Sequence, residues 1–143
     1  MQRRARPGRR SGCPISLALE LFGDPWTLLI VRDVMFKARR TFREFQDAGE
    51  GMASNILADR LGRLEQAGIL SSEPDPTDAR RVLYGLTPKG ADLAPVLVEL
   101  VLWSARHGET DAPPAVVRAM RTQREQVIAE IRAQWRPRRR PRT

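Results

Sequence analysis

The chain has 143 residues, of which 41% are hydrophobic and 6% aromatic, and its net charge is +8. This length suits one domain with appendages, and no apolar run approaches the ~20 residues that a membrane-spanning helix needs. One cysteine and one histidine leave no internal disulfide, no zinc-binding cluster and no Ser-His-Asp or Cys-His pair for catalysis. No apolar stretch resembling a signal peptide follows the basic start, so we expect a cytoplasmic protein. From the missing catalytic and metal-binding sets and the lack of a long apolar run, we expect a protein that is not an enzyme, with no cofactor, metal or membrane partner.

The positive charge lies at the two ends of the chain. Residues 1–12 contain five arginines, residues 136–143 contain five more, and neither segment contains an acidic residue. Without them, 15 basic residues face 17 acidic ones, so the part between the ends is nearly neutral. We predict a disordered basic arm over 1–12 and a disordered basic tail over 136–143. The two segments either keep the chain soluble or add sequence-independent contacts with phosphates.

Two helices open the predicted domain, which spans residues 13–107. Pro14 suits the first turn of a helix, and Gly23 favours its end. Asp24 as N-cap and Pro25 as first helical residue then predict a second helix. That helix is apolar on almost every side, so we expect it to be buried.

The next segment predicts a helix-turn-helix. Thr41 to Glu44 has the form of a capping box, and its short helix turns Phe42 and Phe45 inward. Ser54 is the predicted N-cap of a second helix, which ends near Gly68. Two short helices joined by a glycine-containing turn are typical of this motif. The buried seam of the second helix consists of Leu57, Leu61 and Leu64.

Residues 69–87 change from helical spacing to short β-branched and apolar runs. Two strands, over 69–72 and 82–86, flank a tip rich in Pro and Asp, which predicts a β-hairpin. Arg80 and Arg81 lie where the hairpin leaves its tip. A hairpin directly after a helix-turn-helix is a wing, so the predicted fold is mainly α with a small β-hairpin: a winged helix-turn-helix with terminal dimerisation helices.

Two further helical segments carry more apolar surface than one small domain can bury. The helix over 93–103 is apolar around most of its circumference, with a kink expected at Pro95, and residues 108–135 predict a C-terminal amphipathic helix. We expect a two-fold dimer to cover these surfaces, and packing of the last helix over 93–103 within one chain remains an alternative that can coexist with it. The candidate dimerisation residues are Ile15, Leu19, Leu93, Leu97, Leu100 and Trp103.

The face of the 54–67 helix opposite its leucine seam supplies candidate base contacts. Asn55 and Arg63 have side chains that can bind purine edges in a major groove, and Gly62 allows close approach. Asp59 suits a cytosine amino group or the orientation of Arg63, while Arg60 suits either a salt bridge or a phosphate. An ordinary solvated helix face remains the alternative. The candidate DNA-binding residues are Thr41, Arg43, Ser54, Asn55, Ala58, Asp59, Arg60, Gly62, Arg63, Arg80 and Arg81.

The ordered succession of these segments resembles the HxlR-type winged-helix regulators. The resemblance covers about residues 13–107 and rests on Cys13-Pro14-Ile15, the run from Gly23 to Asp33, Phe42 to Phe45, Asn55 to Leu61, Glu65 to Leu70 and Tyr84 to Gly90. It implies a DNA-binding homodimer, built through the first and the post-wing helices, that acts as a transcriptional repressor or activator. It also implies that helix 54–67 enters the major groove while the wing lies on the backbone or minor groove.

The resemblance leaves some features of the chain open. Some proteins of this family resemble redox or electrophile sensors with a cysteine near the N-terminus, the place that Cys13 occupies, although a buried structural cysteine is commoner. The arginine-rich ends and the helix around 114–135 extend past the usual core. A small-molecule effector is compatible with the apolar dimer region. The rival functions are a basic, non-specific nucleic-acid-binding or architectural protein and a winged helix that makes only protein contacts.

Overall fold

The computed structural model describes residues 10–136, so residues 1–9 of the predicted arm (1–12) and residues 137–143 of the predicted tail (136–143) lie outside it. These residues form mostly helices with one antiparallel hairpin, which confirms the predicted winged helix-turn-helix. No single helix in this range is long and apolar enough to cross a membrane; only the bent pair formed by the first two passes by length and composition. The elements in chain order are α1 (Pro14–Phe22), α2 (Thr27–Lys37), α3 (Phe42–Gln46), α4 (Ser54–Gln66), β1 (Leu70–Asp75), β2 (Asp78–Leu86), α5 (Pro88–Ala91), α6 (Ala94–His107), α7 (Pro114–Thr122) and α8 (Arg124–Gln134).

The core forms where α2, α3, α4 and α6 meet the foot of the hairpin, which is the end of β1 and β2 that joins α4 and α5. The α2 helix is central, as its composition predicts, and its Ile30 and Val31 are fully buried. Phe45 on α3 packs edge to face on Tyr84 of β2, with ring centroids 5.9 Å apart. The hairpin is thereby held against the helices through its inner face.

Most helix and strand ends lie where the capping residues and glycines of the sequence predict them. The capping box is present, since Thr41 Oγ1 accepts from the Glu44 amide and the Glu44 carboxylate accepts from the Thr41 amide. Thr87 Oγ1 caps α5 by accepting from the Gly90 amide. Gly68 turns the chain from α4 into β1 at φ +73, a backbone conformation that residues with a side chain rarely adopt.

Two predicted N-caps differ from the structure. The α4 helix begins at Ser54 with Ala53 as its N-cap and without a side-chain cap, so Ser54 is the first helical residue. The α2 helix begins at Thr27 rather than Pro25, yet the Asp24 carboxylate still accepts from the Trp26 and Thr27 amides at 2.9 and 3.0 Å. Capping propensity identifies the right region in both cases, and the tertiary path of the chain decides the register.

The post-wing helices also differ from the prediction. Pro95 does not kink a continuous helix, because the chain breaks between α5 and α6 and Pro95 falls in the first turn of α6. The predicted C-terminal helix is two helices, interrupted at Gln123. Phe42 is exposed, whereas Phe45 is buried against Tyr84, so only Phe45 faces inward as predicted.

The apolar stripe of the C-terminal segment packs largely within the chain. Met120, Ile128 and Ile131 are buried, and α7 and α8 both contact α6. Intrachain packing, which the sequence analysis kept as an alternative, therefore accounts for most of this stripe. Other apolar side chains remain exposed on α1 and α6.

Candidate nucleic-acid interface

The α4 helix presents a polar face on a tightly packed apolar seam. Leu57, Leu61 and Leu64 are at most 2% exposed, so the helix is fixed against the core. The opposite face is solvent-exposed as predicted, with Ser54, Asn55, Ala58, Asp59, Gly62, Arg63 and Gln66 all exposed. A Cβ added at Gly62 would meet nothing within 4 Å. Intrachain packing therefore does not require a glycine at position 62. The glycine is present although it costs ~1 kcal/mol relative to alanine inside a helix.

An ion pair ties α4 to the start of α2. Arg60 Nε donates to Asp24 Oδ1 at 3.1 Å, and its guanidinium also contacts Asp59. Of the two roles predicted for Arg60, the structure places it in the salt bridge. Burial by itself raises the pKa of Asp24, but hydrogen bonds from Thr27, the Trp26 amide and Arg60 outweigh it and lower that pKa to about 2. Asp24 thus connects α2, the central helix of the core, to α4, which presents the polar face.

Arg63 lies between α4 and α1. Its side chain is exposed, and one terminal nitrogen lies 3.4 Å from the backbone oxygen of Glu20. A contact of this length at the surface is weak and can be exchanged for another acceptor. Arg63 is therefore available on the same helix face as Asn55.

The structure brings the predicted residues of α3 and the wing to one cleft of about 790 Å³. Thr41 and Arg43 from the α3 start face Arg80 and Arg81 of β2, which are far apart in sequence. Acidic side chains share the cleft, so its charge is mixed rather than uniformly positive. The lining is Thr41, Phe42, Arg43, Glu44, Asp47, Asp78, Arg80, Arg81, Val82 and Tyr84.

Each wing arginine lies beside a carboxylate of the hairpin tip. Arg80 Nε is 3.4 Å from Asp78, and an Arg81 terminal nitrogen is 3.9 Å from Asp75. The Thr77 amide and hydroxyl donate to Asp75 at 2.9 and 2.8 Å, which lowers the pKa of Asp75 and shapes the tip. Helical and strand periodicity do not predict these pairs. The Arg80–Asp78 pair is exposed and contributes ~0–1 kcal/mol, so a phosphate can replace that carboxylate at little cost, whereas Asp75 is buried and also accepts from Thr77.

The predicted dimerisation residues divide into two groups. Ile15, Leu19, Leu100 and Trp103 are exposed, by 71%, 57%, 47% and 63%. Leu97 is 6% exposed and Leu93 is half-buried against the same core, so these two side chains support α6 within the chain. Large apolar side chains exposed on α1 and α6 are of the kind found in contact regions.

Two further features lie near these helices. Cys13 is exposed and precedes α1 as its N-cap residue. A mainly apolar crevice of about 410 Å³ runs between α2 and α6, lined by Leu28, Leu29, Arg32, Phe36, Leu97, Leu100, Val101, Ser104, Thr110 and Ala112. Its volume lies within the range of small-molecule pockets, which are mostly lined by apolar side chains.

Comparisons with known proteins agree with this helix-turn-helix architecture. The HxlR-like helix-turn-helix family matches residues 21–112. An uncharacterized HTH-type transcriptional regulator of Synechocystis is 34% identical over 88 residues, which cover 62% of this chain and 64% of that protein. The HTH-type transcriptional regulator YodB of Bacillus subtilis is 33% identical over 93 residues, 64% of this chain and 82% of YodB.

Solved structures agree with the sequence relatives. The structure of a candidate transcription factor, PA1607, superimposes on this chain with a TM-score of 0.64 at 36% identity. The match covers 73% of this chain and 71% of PA1607. The reduced form of YodB gives a TM-score of 0.56 at 31% identity, covering 68% of this chain and 95% of YodB. The relatives are transcriptional regulators rather than enzymes. With the family match spanning most of the chain and the wing following the exposed α4 as the motif requires, this protein belongs to the HxlR-like helix-turn-helix family.

Proposed function

We propose that this protein is a sequence-specific transcriptional repressor that binds a near-palindromic operator as a homodimer. In each protomer α4 enters the major groove, and the hairpin β1–β2 lies on the backbone or minor groove of the same half-site. The observation that carries the proposal is the exposed polar face of α4 on a buried leucine seam. A rigid helix with protruding Asn and Arg side chains is suited to contact base edges.

The α3–wing cleft supplies the backbone contacts in this proposal. The exposed Arg43 lies at a helix start, where the Thr41 hydroxyl is buried and caps α3, and Arg80 and Arg81 line the same cleft. Phosphate oxygens are the ligands that such groups position most often in protein–DNA complexes. On this basis the protein is cytoplasmic and associates with the nucleoid, and bound fragments selected from its own genome should share one near-palindromic motif.

Variants on α4 and on the wing should differ in kind. Arg63→Ala or Asn55→Ala should weaken binding about tenfold, ~1.4 kcal/mol, at particular operator positions and relax the base preference there. Arg80→Ala serves as the comparison, because loss of a phosphate contact lowers affinity for every sequence and reduces the salt slope by ~0.9. Titrations against single-base operator variants at several salt concentrations measure both effects. A uniform loss for the α4 variants would contradict base contact by these side chains.

A basic, non-specific nucleic-acid-binding or architectural protein is the second candidate, and the ten terminal arginines favour it. In that case deletion of residues 1–12 and 136–143 abolishes binding. Under the repressor proposal the same deletion weakens binding yet leaves the preference for the operator over random duplex. The ratio of the two affinities at one salt concentration separates the candidates.

Cys13 is the proposed site of a redox response. Structures of YodB include a reduced, a diamide-treated and a quinone-bound form, and Cys13 in this chain is exposed two residues before Ile15 on α1. Diamide should join two protomers, as two thiols lose two electrons and two protons to its N=N bond and form one S–S bond. Non-reducing electrophoresis should then show a covalent dimer that dithiothreitol reverses and that Cys13→Ser lacks. Unchanged operator affinity after complete oxidation would contradict a sensing role.

A further inference from the structure

The C-terminal end of α8 packs on the outer face of the hairpin. Side chains alternate between the two faces of a strand, and Tyr84 contacts α3 while Ser72 Oγ donates to Glu65 of α4. The neighbouring pair in the register, Ser71 and Gly85, therefore points away from the helix-turn-helix. The Trp135 ring lies on that outer face.

Gly85 provides the space for this contact. A Cβ at Gly85 would lie 3.0 Å from Cζ3 of the Trp135 ring, closer than side chains normally approach. The Gly85 backbone is an ordinary strand backbone, so its glycine is not required by a left-handed conformation. An added methyl group would disturb the close approach of the indole first, because its other neighbour, a terminal nitrogen of Arg40, is 3.4 Å away.

Arg40 connects the indole to both strands of the hairpin. Its guanidinium carbon lies 5.8 Å from the centroid of the Trp135 ring, within cation–π range. Its Nε donates to the backbone oxygen of Tyr84 at 2.9 Å, while its own backbone oxygen accepts from the Tyr84 amide at 2.8 Å. A terminal nitrogen also lies 3.7 Å from Glu73 of β1. Trp135 thus covers the residue that joins the α2–α3 connection to the wing.

The helix that carries Trp135 is itself held in place. Ile128 and Ile131 are buried against the core, and Arg132 Nε lies 3.2 Å from Asp92, just after α5. Ile128, Ile131 and Arg132 lie beyond the range 21–112 that matches the family. The hairpin is thereby packed on both faces near its foot, by the helix-turn-helix on one side and by α8 on the other.

We propose that Trp135 is a positioning residue for the wing, which holds the hairpin through Arg40 and Gly85 in the orientation that binds DNA. The proposal rests on the DNA-binding function proposed above. A two-stranded hairpin is marginally stable alone, so contacts at its foot govern how often its tip adopts one direction. When a binding-competent orientation is populated for a fraction of the time, the apparent affinity falls by that fraction.

Removal of the indole should loosen the hairpin and weaken operator binding together. In Trp135→Ala we expect about tenfold lower operator affinity, as for a wing that is competent about a tenth of the time. Hydrogen exchange at the Tyr84 amide should accelerate, whereas exchange within α4 stays unchanged. Trp135→Phe keeps an aromatic face over Arg40 and should recover most of both properties.

A double-mutant cycle tests the contact itself. Gly85→Ala alone should accelerate hairpin exchange and lower affinity, because the added methyl displaces the ring. In the Trp135→Ala background the same substitution should have little further effect, since the ring is gone. Equal effects of Gly85→Ala in both backgrounds would show that its cost arises elsewhere and would overturn the proposal.

Deletion of residues 137–143 is the matched control, because it removes four arginines and keeps Trp135. It should reduce the salt slope of binding and leave exchange in the hairpin unchanged. If Trp135→Ala leaves both hairpin exchange and operator affinity at the wild-type values, Trp135 does not position the wing. If the wild-type protein binds no duplex, the proposed function fails, while hairpin exchange in the variants still tests the contact.

Discussion

A single aspartate on α1 or α6 should convert the proposed dimer to a monomer. Ile15 and Leu100 are 71% and 47% exposed in the protomer, so Ile15→Asp and Leu100→Asp leave the core intact. In a two-fold interface the new carboxylate lies buried without a partner, and it does so twice. We expect each variant to stay folded and to elute as a monomer.

Loss of the dimer should carry a large cost in operator binding. Two α4 helices bound to one palindrome act together, so a monomer should bind it at least ~100-fold more weakly, which corresponds to ~2.8 kcal/mol. Val116→Asp is the matched control, because Val116 is 44% exposed on α7, outside the proposed interface. Light scattering with chromatography and operator titrations measure the two effects. A monomeric wild-type protein, or dimeric Ile15 and Leu100 variants, would contradict the proposed assembly.

Asp24→Ala should be strongly destabilising because one carboxylate serves two helices. Asp24 accepts from the Trp26 and Thr27 amides at the start of α2 and pairs with Arg60 of α4. Loss of these backbone hydrogen bonds and of a partly buried ion pair should lower the free energy of unfolding by about 2 kcal/mol at pH 7. Urea denaturation measures this change, and Asp111→Asn, at an exposed position between α6 and α7, is the control expected to have little effect.

The effect of Asp24 should depend on pH in a defined direction. The pKa of Asp24 is lowered to about 2 in the folded state, below its ordinary value near 3.8. The folded state therefore favours the charged form, and this stability is fully present above the ordinary pKa and disappears as the pH falls toward 2. The stability difference between wild type and Asp24→Asn should shrink over this range, and a difference that grows on acidification would contradict the assignment.

The sequence determined the fold class because its signals are local. The spacing of Leu57, Leu61 and Leu64 predicts which face of α4 is buried, since it follows helix geometry alone. The Thr41–Glu44 capping box and Gly68 set element ends through the backbone groups of adjacent residues. The exposed candidates on α4 follow from the same periodicity.

The tertiary structure decided the features that depend on partners distant in sequence. Arg60 faces Asp24, which is 36 residues away, and Leu97 faces its own core; periodicity does not distinguish these partners from solvent, phosphate or a second protomer. Trp135 reads in sequence as the end of an apolar stripe, but folding places it on Gly85 and Arg40. Helical spacing determines which side of an element is apolar, whereas packing of the whole chain determines which surface covers it.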